Sequence, residues 1–113
     1  MKLREVYTCP LELMHDMLKG KWKTVILYQI YLRKKASLSN LQQDINGISQ
    51  KMLLQHLNEL REYGLVDKVT YEGYPLRVEY FLTEDKGYKI IEALKIFQAL
   101  GTEYIEQQET SQA

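Results

Sequence analysis

The sequence predicts an α+β, mostly helical fold in a single domain over residues 1–113: a helix-turn-helix unit, then a two-stranded hairpin, flanked by N-terminal helices and a long C-terminal helix. Three observations predict it. The run from Ser37 to Thr83, SLSNLQQDINGISQKMLLQHLNELREYGLVDKVTYEGYPLRVEYFLT, holds two cappable helical stretches broken at Asn46-Gly47, a dipeptide tolerant of positive φ. The spacing then changes to two-residue alternation at Val78, Tyr80 and Leu82, the period of a half-buried strand. Beyond the hairpin, apolar residues recur at helical spacing from Ile90 to Ile105. That order is the winged helix-turn-helix arrangement.

Taken in order, residues 1–8 form a short polar arm. Thr8 or Cys9 can cap a first helix with Pro10 at its first position, where a missing amide is harmless, and Leu11, Met14 and Leu18 fall on one face. Gly20 separates this from a second helix, roughly Trp22 to Leu32. Val25, Ile26, Leu27, Ile30 and Tyr31 make it apolar on most sides and place it in the core, with Trp22 as a packing residue. Ser39 can cap the third helix, with Gln42 three residues later completing a reciprocal pair. Ser49 can cap the fourth, which runs to Tyr63 and stops at Gly64, with Leu53, Leu57 and Leu60 as its buried stripe. The hairpin pairs about Leu65–Tyr71 with about Arg77–Leu82 around a tip of Glu72, Gly73, Tyr74 and Pro75. The last helix starts at Asp85 or Lys86 and runs to about Gln107, with fraying expected from Glu109. Its stripe of Ile90, Leu94, Phe97, Gly101 and Tyr104 is more apolar surface than a small motif can cover, so part of it is expected to meet a second subunit. Leu11, Met14, Leu94, Phe97 and Tyr104 are the candidate dimer contacts.

A chain of 113 residues has room for one modest core, and with 45% hydrophobic and 27% charged residues it is composed as a globular protein. No apolar run reaches membrane-spanning length and the N-terminus lacks a signal peptide's apolar core, so a cytoplasmic location without membrane contact is expected. Cys9 is the only cysteine, which leaves no partner for an intramolecular disulfide or a thiolate metal site, and neither His15 nor His56 has a ligand at metal spacing. There is no glycine-rich phosphate loop, nucleophile elbow or evident pair of catalytic carboxylates. The expectation is a non-enzyme with no cofactor and no metal.

Net charge is zero but unevenly placed, since residues 1–56 carry nine Lys or Arg against four Asp or Glu, and residues 57–113 carry six against eleven. Basic groups gather at Lys19, Lys21 and Lys23, at Arg33, Lys34 and Lys35, and at Lys51, which could form a face for phosphates or simply solvated helix ends. Opposite the leucine stripe of the fourth helix lie Lys51, Gln55, Asn58 and Glu62, flanked by Gln50 and Arg61. Lys can donate to guanine, and Gln or Asn can pair bidentately with adenine, so this face suits the major groove. Ser49, Gln50, Lys51, Gln55 and Asn58 are the candidate reading residues, with Lys68, Arg77 and Ser39 as wing and flank contacts. Salt bridges to Asp67 or Glu79 are the plain rival for Lys68 and Arg77. The same polar face could also dock on a protein, giving an interaction module without DNA binding. Cys9, at a helix start, is open between an inert packing role and a reactive thiol favoured by the helix macrodipole and nearby lysines.

Four segments together resemble the HxlR-type transcriptional regulators, winged-helix relatives of the MarR group: Cys9-Pro10, GKWKTVILYQI from Gly20 to Ile30, NGISQKMLLQHLNELREYGLV from Asn46 to Val66, and PLRVEYFLT from Pro75 to Thr83. The resemblance covers most of the chain in order. It implies a cytoplasmic, sequence-specific regulator that binds double-stranded DNA at a pseudo-palindromic operator as a homodimer. For some members it also implies a small-molecule, oxidant or electrophile signal sensed through a cysteine near the N-terminus, the position of Cys9 here. After the hairpin the chain reads TEDKG, one residue longer than the usual TExG, so the last helix is expected to leave the hairpin differently.

Overall fold

The computed structural model describes residues 3–112; residues 1, 2 and 113, part of the expected arm and domain, lie outside the described residues. Five helices and one hairpin follow in the order α1 (Pro10–Met17), α2 (Lys23–Arg33), α3 (Leu38–Asp44), α4 (Gln50–Glu62), β1 (Val66–Tyr71), β2 (Arg77–Leu82) and α5 (Lys86–Gln112). This is a winged helix-turn-helix with a helical pair before it and one long helix after it.

Packing starts from α2, whose Ile26, Leu27 and Ile30 are fully buried against Leu41 of α3, Leu53, Leu57 and Leu60 of α4, and Ile91 and Leu94 of α5. Val25, expected in that core, stays 39% exposed, and Leu32 at the end of the helix is 57% exposed. Trp22 precedes α2 and packs on the core as expected, with the Lys21 ammonium 4.6 Å from its ring centroid. The expected arm is not loose, because Arg4 reaches Asp16 at 2.7 Å and Glu12 at 2.9 Å and ties residues before α1 to that helix.

The cap of α3 differs from expectation. Ser37, not Ser39, is the N-cap: its Oγ accepts from Asn40 N–H at 3.1 Å, and Asn40 Oδ1 accepts from Ser37 N–H at 3.0 Å. A tertiary bond sets the start of the helix. Ala36 exchanges backbone bonds of 2.9 and 2.8 Å with Tyr80 on β2, which fixes the chain as extended up to Ser37 and starts the helix there. Ser49 caps α4 as expected, accepting from Met52 N–H at 3.1 Å. At the other end of α4, Leu65 N–H donates to Leu60 O and Gly64 N–H to Arg61 O, each at 3.0 Å, the paired bonds of a Schellman stop that need the positive φ of Gly64 (+76°).

β1 and β2 pair antiparallel in the register Val66–Leu82 through Tyr71–Arg77, with Tyr80 and Leu82 buried. Thr83 then joins hairpin to last helix. Its Oγ1 donates to Gly64 O at 2.8 Å and accepts from Gly87 N–H at 2.8 Å, and a Cβ at Gly87 would stand 2.4 Å from Leu65 O. The five-residue TEDKG therefore clamps the start of α5 against the start of β1. α5 does not fray at Glu109 but continues to Gln112.

Candidate nucleic-acid interface

The leucine stripe of α4 is buried and the opposite side is open. Ser49, Gln50, Lys51, Gln55, Asn58 and Glu62 are all exposed, so one accessible face holds the side chains singled out from spacing. Among the described residues Lys51 and Asn58 have no hydrogen-bond or ion-pair partner, while Gln55 Nε2 lies 3.4 Å from Glu59 Oε1. Leu54, 37% exposed, interrupts the polar face with an apolar edge.

On the wing, Arg77 is exposed and lies with its guanidinium carbon 4.3 Å from the Tyr71 ring centroid. Neither Lys68 nor Arg77 forms a salt bridge with Asp67 or Glu79. Asp67 instead accepts from Lys68 N–H at 2.8 Å and faces Arg61 at 3.6 Å. Both wing cations thus remain available. Between them the tip carries Tyr74, fully exposed, and Leu76, 70% exposed. Ser39 is exposed in the first turn of α3, freed from the capping role expected of it.

Two members of the basic clusters are not available to phosphate. Lys23 is 2% exposed and lies 2.9 Å from Glu59, and Arg33 is held bidentately by Asp44, with Nη2 to Oδ1 at 2.9 Å. The Asp44 carboxyl is accordingly below the usual carboxylate range through its hydrogen bond to Arg33. Lys34 and Lys95 flank the Tyr31 ring, each 4.9 Å from its centroid. The Lys23–Glu59 pair escapes a reading of the sequence, as does the 7%-exposed His56 beside it, whose Nδ1 finds no partner among the described residues. Burial, then the charge of Lys23, push the His56 imidazole down, against the opposing pull of Glu59. No local signal announces this cluster, since its members come from α2 and α4.

Cys9 is exposed at the N-cap of α1, on extended backbone whose carbonyl accepts from Glu12 N–H at 2.9 Å. Of the lysines that follow α1 in sequence, Lys23 is committed to Glu59. Of the candidate dimer contacts, Leu11, Phe97 and Tyr104 are 62%, 69% and 60% exposed, and Met14 is half-buried. Leu94 is the exception. At 5% exposure it belongs to the chain's own core, because the helical turn that aims Phe97 outward aims Leu94 at α2. Ile96, Leu100 and Ile105 are also exposed along α5. Among the described residues no cluster of three His, Cys, Asp or Glu could hold a metal, and no helix is long and apolar enough to cross a membrane.

The profile of the HxlR-like helix-turn-helix family matches residues 17–109. The chain belongs to that family. It is similar to an uncharacterized HTH-type transcriptional regulator of Methanothermobacter thermautotrophicus, 36% identical over 105 residues that span 93% of this chain and 79% of that protein. It is also similar to the uncharacterized HTH-type transcriptional regulator YkvN of Bacillus subtilis, 40% identical over 78 residues, 69% of this chain and 65% of that one. Among solved structures, the redox regulator HypR in its reduced form superposes with a TM-score of 0.80 at 28% identity, covering 90% of this chain and 99% of that one. The chain is an HTH-type, DNA-binding transcriptional regulator, and its HxlR-like relatives are regulators rather than enzymes. Cys9 lies ahead of the matched residues.

Proposed function

We propose that this HxlR-like regulator acts in the cytoplasm as a homodimer on a pseudo-palindromic operator, with α4 of each protomer in a major groove and the wing against the backbone. The observation that carries this reading is the open face of α4, where Lys51, Gln55 and Asn58 stand exposed side by side while the neighbouring cations Lys23 and Arg33 are neutralised. Arg77, stacked on Tyr71, is pre-oriented for phosphate or the minor groove. The exposed apolar stripe of α5, Ile96, Phe97, Leu100 and Tyr104, together with Leu11 of α1, is the surface a second copy would cover. Two linked recognition helices about 34 Å apart then fit successive major grooves.

Fluorescence anisotropy on a duplex selected from a random pool tests this. Lys51→Ala should weaken cognate and unrelated duplexes alike and flatten the salt slope by about one unit. Asn58→Ala should cost roughly 1–3 kcal/mol on the cognate duplex only. Unchanged affinity in both variants would remove α4 from the interface and favour docking on a protein.

An oxidant or electrophile signal through Cys9 belongs to the same reading. Its support is the exposure of the thiol at the start of α1, beside the expected dimer surface, and the likeness to a structure described as a redox regulator. With one thiol per chain, the product would be an intersubunit or mixed disulfide. Loss of operator binding under diamide in the wild type but not in Cys9→Ser is the expected result, and identical responses would exclude Cys9 as the sensor.

A further inference from the structure

Behind the open face of α4 lies a charged pair that no DNA contact explains. Lys23, in the first turn of α2, is 2% exposed; its ammonium lies 2.9 Å from Glu59 Oε2 and donates to Lys19 O at 3.3 Å. Burial raises the Glu59 carboxyl, but Lys23 first, then Gln55 and His56, together outweigh that and hold it below the usual carboxylate range. The group is therefore ionised at neutral pH and can only accept hydrogen bonds. Its second oxygen, Oε1, lies 3.4 Å from the amide nitrogen of Gln55, one turn earlier on the exposed face.

A glutamine amide can present its oxygen or its nitrogen to a base, and the two orientations read opposite partners. A carboxylate beside it removes the choice, because turning Oε1 toward Glu59 would set acceptor against acceptor. With Nε2 facing Glu59, the free side of Gln55 offers Oε1 and the remaining N–H. In the major groove only adenine N6 and cytosine N4 carry amino donors, and adenine adds the N7 acceptor alongside; guanine O6 and N7 and thymine O4 are acceptors. We propose that Glu59, paired with the buried Lys23, is a positioning residue that fixes the Gln55 amide so that α4 reads an amino-bearing base, adenine ahead of cytosine. This rests on the reading that α4 lies in the major groove.

The test uses the full chain and duplexes recovered from a random-sequence pool, with affinity measured for all four base pairs at each position. The wild type should prefer A·T over G·C by about tenfold or more at one position per half-site, and Gln55→Ala should erase that preference. Glu59→Gln keeps the shape and still gives Lys23 an acceptor, but its amide nitrogen can face Gln55 Oε1 and reverse the reader. The preference at that position should shrink to under about threefold or turn toward G·C, with other positions and the salt slope unchanged. A purely structural role for Glu59 would weaken all positions together. The double variant Lys23→Met with Glu59→Met replaces the pair by apolar groups of similar volume, an exchange that buried pairs tolerate, and should narrow the same preference if Glu59→Gln does not fold. The proposal is overturned if the wild type prefers G·C over A·T where Gln55→Ala acts, or if the preference survives in both Glu59 variants. It also falls if Gln55→Ala changes no base preference while Lys51→Ala and Asn58→Ala weaken binding. If all three leave binding intact, the placement of α4 in the groove has failed and takes the proposal with it.

Discussion

Gly87→Ala isolates the joint between wing and last helix. The new Cβ would stand 2.4 Å from Leu65 O, 3.0 Å from Thr83 Oγ1 and 3.1 Å from Leu82 Cβ. The nearest of these is backbone held in the Schellman stop and hairpin, so it cannot rotate away, and the start of α5 must move instead. Overpacking of this kind costs about 1–3 kcal/mol, and stretching the 2.8 Å bond from Gly87 N–H to Thr83 Oγ1 adds about 1 kcal/mol. With a loss of about 3 kcal/mol and a slope near 1.5 kcal/mol/M, the urea midpoint should fall by about 2 M. Circular dichroism at a fixed protomer concentration measures it, because a dimer's midpoint shifts with concentration. Thr83→Val, which strips the hydroxyl from both Gly64 O and Gly87 N–H, should cost about 1–3 kcal/mol. The double variant should fall short of the sum, since both act on one joint. A midpoint for Gly87→Ala within about 0.3 M of wild type would refute the close approach.

Three further outcomes follow from the packing and charge. Phe97→Ser, at a side chain 69% exposed in the single chain, should give a folded monomer by sedimentation, whereas Leu94→Ala should destabilise by about 2–5 kcal/mol, because that side chain is core; a dimeric Phe97→Ser would move the interface elsewhere. Stability should hold near neutral pH and decline as pH falls below about 6.5, the ordinary imidazole value. The lowered His56 pKa makes the unfolded chain bind protons first, and the lowered Glu59 pKa continues the loss at more acid pH. Urea midpoints of wild type and His56→Gln should converge near pH 5 and separate above pH 7 if His56 carries the first part, and parallel curves would deny it that role. Diamide should shift operator binding in the wild type and leave Cys9→Ser unaffected, as read by anisotropy.

The parts of the fold written in local pattern are legible in the amino-acid sequence itself. Leu53, Leu57 and Leu60 mark the buried side of α4, Ser49 and Gly64 mark its ends, and the alternation at Val78, Tyr80 and Leu82 marks β2. What escapes depends on partners distant in sequence. Ser39 reads as the cap of α3 until Ala36 pairs with Tyr80 and sets the helix start at Ser37. Lys23 reads as one of three surface lysines until Glu59, far along the chain, draws it inside. Leu94 and Phe97 sit on one helical stripe, and only the packing of α2 decides which faces in and which faces out. The exposed face of α4 is legible because burial and amphipathic spacing are the same fact. The orientation of the Gln55 amide is not, because a buried ion pair sets it.

The most direct test of the central claim is methylation interference on the selected duplex. Two copies of the chain with α4 in successive major grooves should be blocked by guanine N7 methylation in two clusters with centres about 10 base pairs apart. A single cluster, or blocking confined to adenine N3 in the minor groove, would contradict the account.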